Sequence, residues 1–251
     1  MSTHIAAEPG QIAPVVTGAT RRWDTLVTGP QMPAPTALIA AHGDDVARLR
    51  LPQTWRFGPD TTDLLAPLYP ALPFTSARAA RHISVHGSPL PEYSATAHPA
   101  TGGTADPRVI LAASHAVRDL LATGTVTTPD GTRPLAASDV AVIAPHVEQS
   151  ALAAASLADL PDVFVGTINQ AQGLQREAVV AIHPLLGHDV TERFALDLGR
   201  LCVALSRHRA HVTVITDERS PDLLTEALRD HPDHGTLATH ATLLSRLLAA
   251  A

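Results

Sequence analysis

Lysine is absent from all 251 residues, and every one of the 18 basic residues is an arginine. That absence excludes a phosphate-cradling loop of the form G-x-x-x-x-G-K-[ST], which depends on its lysine. Cysteine occurs once, as Cys202, so no internal disulfide can form, and its apolar surroundings predict a small core residue rather than a reactive thiol. No apolar run approaches the roughly 20 residues needed to cross a bilayer, and the start, MSTHIAAEPGQ, lacks the regions of a signal peptide. No membrane partner is therefore expected, and the expected location is cytoplasmic. With 24 carboxylates the net charge is -6, which excludes a general polyanion binder. Any nucleic-acid contact must come from a local groove of arginines and backbone amides.

What is present is a chain that is 45% hydrophobic and long enough to bury one sizeable core, as one or two domains. Fourteen histidines invite a metal reading. Their densest group, Asp230, His231, Asp233, His234 and His240, matches no ligand spacing with a mechanism, so a solvated turn is expected there and no metal site.

Proline and glycine interrupt the first 35 residues, which read as loops around short apolar pieces such as IAPVV. RLRLPQTW reads as extended, and a helix is expected over Thr61 to Leu68, capped by Asp60 or Thr61. Ser84 to Gly103 shows no periodicity and reads as a loop or insertion. Beyond it, RVILAA reads as extended, Ser114 to Thr123 as helix, Pro129 to Gly131 as a turn and Val140 to Ala144 as a buried strand. Helices over Glu148 to Ala158 and Ala195 to Arg207 alternate with strands over Val163 to Thr167, Ala178 to His183 and Val212 to Thr216. Two further helices, Pro221 to Arg229 and Thr236 to Leu248, close the chain. Short apolar strands separated by helices imply an α/β fold whose parallel sheet is covered on both faces.

Such sheets carry their working residues in loops at the carboxyl ends of strands. The loop after Val163 to Thr167 offers Thr167, Asn169, Gln170, Gln172, Gly173 and Gln175, a set of hydroxyl and amide groups suited to binding rather than to acid and base chemistry. The loop after Val140 to Ala144 reads APHVEQ. Arg207 and Arg209 are expected in the last turn of a helix, where the dipole alone would account for them.

The strings and their order resemble superfamily 1 helicases of the Upf-, Dna- and RecD-like kind. TINQAQGLQRE is similar to their motif V, LCVALSRHR to motif VI, and DVAVIAPHVEQ to the strand and loop written I-x-V-I-T-P-Y-x-x-Q. LPQTWRFGPDTTDLLAPLY is similar to their L-x-x-x-[YW]-R-x-x-P segment, and AAEPGQIAPV to motif III. The resemblance implies a parallel-sheet, RecA-like second helicase lobe over 73–251, preceded over 1–72 by a partial, loop-rich remnant of the first lobe and the inter-lobe connection, with 85–135 as an insertion of open role. In that family two lobes clamp ATP, and single-stranded nucleic acid, DNA or RNA, crosses their top. By position, Gln11 would sense the γ-phosphate, and Arg56 and Arg207 would reach it as arginine fingers. Gln175, Glu177 and Arg209 would face the nucleotide. Pro145, His146, Thr167, Gln172 and Gly173 would face the strand.

The pattern breaks where the family's phosphate loop and acidic Mg²⁺ motif should be. Neither occurs in the chain, so ATP and Mg²⁺ are expected only with a P-loop lobe supplied elsewhere. Glu8 replaces the usual motif III aspartate, Gln175 stands where motif V often has glutamate, and His208 follows Arg207 where alanine is common. Two functions remain open: the downstream part of a helicase that is inactive alone, and a non-catalytic module binding nucleic acid or protein.

Overall fold

The computed structural model describes residues 21–23, 25–26, 29, 32, 34–46, 51–70, 72–101, 103–187, 192 and 194–250. Gln11 and the whole of the motif III resemblance lie outside them. The chain divides into two compact units, Met1–Leu51 and Pro52–Ala251. The first contains one described α-helix, α1 (Ala34–His42), and a short 3-10 turn at Arg21–Trp23 where Arg22 lies over the Trp23 ring at 3.8 Å.

The second unit is built on a five-stranded parallel sheet. β1 (Gln53–Thr54) leads into α2 (Pro59–Leu65), and β2 (Thr75–Ser76) returns beside β1 in parallel. The expected helix over Thr61 to Leu68 thus begins earlier, with Pro59 in its first turn, and its last residues tighten into a 3-10 turn, Ala66–Leu68. β3 (His82–Val85), β4 (Ser88–Pro89) and β5 (Tyr93–His98) follow. Then come α3 (Pro107–Thr123), β6 (Thr125–Thr128), β7 (Gly131–Pro134), β8 (Val140–Ala144) and α4 (Val147–Ser156). β9 (Phe164–Thr167), β10 (Arg176–Ile182), α5 (Leu198–Leu205), β11 (His208–Asp217), α6 (Ser220–Asp230) and α7 (Gly235–Ala249) complete the unit.

The strand order is β5-β11-β10-β8-β9, and all four pairings are parallel. All five residues of β8, VAVIA, are buried, which a strand covered on both faces requires. On one face Val140, Val142, Ala144, Ala178, Val180 and Ile182 join Val109, Ala113, Val117 and Leu120 of α3 and Ala153 of α4 in one core. The alternate residues Ala141, Ile143, Val179 and Ala181 are equally buried and belong to the opposite face, where α5 packs on β10 and β11 and α7 on β5. A second, four-stranded antiparallel sheet, β4-β3-β6-β7, flanks the first, and its hairpin turns at Gly131 with φ +128.

Three expectations fail here for identifiable reasons. RVILAA is helix, not strand: Asp106 accepts the Arg108 backbone N–H as N-cap, Pro107 presets the first turn, and Val109, Ile110, Ala113, Val117 and Leu120 form a helical stripe. Ser84 to Gly103 is not a loop. Its YSATAH forms β5, whose ladder with β11 runs from Tyr93↔Val212 to His98↔Asp217 and satisfies a backbone that its side chains do not announce. Finally, α5 stops at Leu205 rather than Arg207, because from His208 the chain pairs with β10 and from Val212 with β5 as well. Among the described residues no helix is long and apolar enough to cross a membrane.

Candidate functional site

The expected site residues fall into two groups at opposite ends of the parallel sheet. Ser206 and Arg207 link α5 to β11, so Arg207 sits at the amino end of β11 and not in a helical last turn. Arg209 is a residue of that strand, and the dipole reading of the two arginines lapses. Arg56, 150 residues before Ser206, donates from Nη1 to the Ser206 carbonyl at 3.4 Å, while Arg207 donates from Nη2 to Ser206 Oγ at 2.7 Å. One serine therefore gathers both expected fingers. Arg207 is 4% exposed, whereas Arg56 is partly exposed with its Nε buried and without a hydrogen-bond acceptor.

The segment carrying Arg56 is fastened from several sides. Phe57 stacks on His208 with ring centroids 6.1 Å apart, and its carbonyl accepts from Ser76 Oγ at 2.8 Å. Thr61 Oγ1 and His208 Nε2 share a buried hydrogen bond of 2.9 Å. The N-terminus of α2 is capped neither by Asp60 nor by Thr61: Glu92 supplies the carboxylate, Oε2 accepting the Thr61 N–H at 2.9 Å. Glu92 in turn pairs with Arg78 at 3.0 Å, and Arg78 Nη1 donates to the Arg209 carbonyl at 2.8 Å.

Gln175 and Glu177 complete this end. Gln175 Oε1 accepts from Arg209 Nε at 3.2 Å. Glu177 is buried, accepts from Arg81, and lies 3.5 Å from Arg209 Nη1, with its Oε2 left without a partner. Arg78, Arg81 and Arg209 thus gather around Glu92 and Glu177, with Arg56 and Arg207 beside them on Ser206. His208 registers the cluster: burial, then the neighbouring His211, Arg78, Arg207 and Arg56, push its pKa down to about 3. A neutral imidazole among several guanidinium groups is a setting whose electrostatics favour an anion.

At the carboxyl end of the sheet stand Pro145, His146 and Thr167. Pro145 is buried, and His146 is the N-cap residue of α4, its N–H donating to Gln149 Oε1 at 3.1 Å. Thr167 donates its N–H to Gln170 Oε1 at 2.8 Å and accepts the Gln170 N–H at 3.3 Å, a closed local turn. Gln172 and Gly173 do not join either cluster. Both are exposed in mid-crossing, and Gly173, at φ +86, adopts a conformation that side chains disfavour. Because β9 and β10 are parallel, residues 168–175 must travel from the carboxyl end of one to the amino end of the other. Ile168 and Ala171, both fully buried, anchor that crossing while Asn169, Gln170, Gln172 and Gly173 face outward. One segment thereby joins the two ends.

Sequence reasoning missed Arg78, Arg81 and Glu92, which lie around β3 and β5 where no strands were expected. It also missed Trp55, 74% exposed beside Arg56. An exposed tryptophan next to an arginine of a resemblance motif was the available signal.

A family model described as an AAA domain matches residues 104–219, just under half of the chain, from the cap of α3 to the end of β11. No curated protein matches the chain. The matched region holds the segments resembling motifs V and VI but not Arg56, and it marks the chain as containing a helicase-like domain.

Proposed function

We propose that this chain provides the second, RecA-like lobe of a superfamily 1 helicase of the Upf-, Dna- and RecD-like kind, with 1–72 as first-lobe remnant and connection and 73–251 as the lobe. The observation that carries the reading is the convergence of Arg56 and Arg207 on Ser206. Two planar guanidinium forks are suited to charge spreading over a transferring phosphoryl group, an effect of order 10³ to 10⁵ in rate for a single arginine finger. Arg207 reaches such a group by exchanging Ser206 Oγ for a phosphoryl oxygen. Gln175, Glu177 and Arg209 border the same cluster and would hold the nucleotide's other parts, and Gln11 would sense its terminal phosphate.

The donor set fits a triphosphate better than its metal. Arg56 Nε is a buried donor without an acceptor, whereas both ion pairs of Glu177 fall on Oε1 and leave only its Oε2, one oxygen where Mg²⁺ takes an octahedral set of oxygen ligands. Mg²⁺ and the lysine of the phosphate grip would come with a P-loop lobe. The carboxyl-end residues Pro145, His146 and Thr167, with Gln172 and Gly173 of the crossing, would face single-stranded nucleic acid, and the crossing 168–175 would transmit nucleotide state to the strand.

Two measurements test this. The 251-residue chain with Mg²⁺ and ATP is expected to show no hydrolysis above background; turnover that vanishes in Arg207→Ala would overturn the need for an outside phosphate grip. It is also expected to bind single strands with an affinity that falls steeply between about 50 and 200 mM salt, and a flat profile would sink the arginine groove.

A further inference from the structure

Three loops at the carboxyl end of the sheet contribute planar groups to one stack. The His146 ring, after β8, stacks on Phe194 with centroids 4.7 Å apart and planes 25° apart. Arg200, in the first turn of α5, lays its guanidinium carbon 4.0 Å from the Phe194 centroid. Its Nη1 donates to Oδ1 of Asn169, in the crossing after β9, at 3.3 Å. The cation is incompletely neutralised: Asp197 commits Oδ1 to the N–H groups of Gly199 and Arg200, and its Oδ2 stands 3.5 Å from Arg200 Nε, which is buried and has no hydrogen-bond acceptor. Arg200 is 15% exposed, and His146 and Phe194 are partly exposed. In a chain with only 3% aromatic residues, where Phe57, Phe74 and Tyr69 contact other rings, this column stands beside the outward-facing amides of Asn169 and Gln170.

We infer that His146, Phe194 and Arg200 form a base-stacking and phosphate-binding subsite for one nucleotide of a single strand. The inference rests on the reading of this end of the sheet as the strand-facing side, and it adds Phe194 and Arg200 to it. An aromatic and guanidinium column accepts any base as its next plane, and the remaining Arg200 donors take the adjoining phosphate.

Fluorescence anisotropy with labelled oligo-dT and oligo-rU of about 20 nucleotides, long enough for a single site, tests it across a salt series. Arg200→Ala is expected to weaken binding about tenfold and to reduce the slope of log K against log salt by about 0.7, the loss of one single-strand phosphate contact. Arg200→Lys should keep the slope. Phe194→Leu should weaken binding about tenfold at unchanged slope. Arg118→Ala, on α3 and paired with Asp159 just beyond α4, is the control and should bind as the parent does. If the parent binds but Arg200→Ala and Phe194→Leu stay within about twofold of it, the subsite is wrong and the helicase-lobe reading stands. If the parent binds neither strand at low salt, both fall. A slope in Arg200→Lys equal to that of Arg200→Ala overturns the phosphate contact even if Phe194→Leu does not fold. Losses seen with only one sugar support the subsite and identify the strand as DNA or RNA.

Discussion

Gly58 shows how a single position ties the anion pocket to the stability of the lobe. A Cβ placed there would lie 1.6 Å from Glu92 Oε1 and 2.4 Å from Arg78 Nη2, because the Glu92 carboxylate occupies the place an N-cap side chain would normally take. The backbone at φ -83 strains no residue, so the clash is the whole effect. Glu92 cannot swing aside without giving up both the Thr61 N–H and Arg78. Gly58→Ala is therefore expected to cost about 1–3 kcal/mol in urea unfolding. The cost in a Glu92→Gln background should be clearly smaller, since the two changes disrupt one contact. Full additivity in that cycle would show that Glu92 does not cap α2. Neither residue stands out in the sequence: a glycine before proline reads as a turn, and a capping carboxylate 31 residues away has no local signature.

Elements whose burial is complete were legible, and elements held by backbone pairing were not. β8 and the Ala178–Ile182 part of β10 are continuous apolar runs, and α4, α6 and α7 match the expected helices to within a few residues. β5, β6 and β7 read YSATAH, TVTT and GTRP, too short and polar to be separated from loop, and they exist because neighbouring strands complete their ladders. The residues of the phosphate-facing group were legible one by one, but their end of the sheet was not, since that depends on where α5 stops. His240 likewise leaves the solvated turn expected of its neighbours: on α7 it is fully buried, edge-on to His183 at the end of β10, with centroids 6.1 Å apart. Burial pushes the pKa of His183 down to about 3. For His240 burial outweighs the attraction of the Leu196 backbone and Asp197, and its pKa falls to about 4. His183 Nδ1 accepts the Leu185 N–H, which fixes the neutral ring. With folded values below the ordinary 6.5, the unfolded chain takes up protons first as pH falls. Stability is thus complete above pH ~6.5 and declines toward pH ~4, each histidine adding up to about 1.4 kcal/mol per pH unit. Carboxylates titrate lower, so thermal melts between pH ~7 and ~5.5 report chiefly on buried histidines, His208 and His211 among them. His240→Leu should flatten that decline, and an unchanged slope would rule out the pair.

Across the whole molecule the charge of -6 conceals a cluster in which Arg56, Arg78, Arg81, Arg207 and Arg209 lie near one another. Far from the cluster the net charge repels anions, while within it low exposure weakens screening and strengthens attraction. Inorganic pyrophosphate, which carries the charge of a nucleotide tail without base or sugar, separates these effects. At about ten times its dissociation constant, a ligand of the folded state adds about 1.4 kcal/mol, or roughly 3–5 °C in melting temperature for a unit of this size. The shift should appear in low salt without any P-loop lobe, because the donors are already gathered on Ser206. It should shrink in about 0.5 M salt, where the Debye length falls to roughly 4 Å. Arg56→Ala and Arg207→Ala should each remove most of it, whereas Arg118→Ala, an exposed arginine of α3 paired with Asp159, should leave it intact. A shift that persists in both pocket variants would place the anion elsewhere, and equal loss in all three would reduce it to general charge. Loss confined to Arg56→Ala and Arg207→Ala is the outcome that two converging guanidinium groups require.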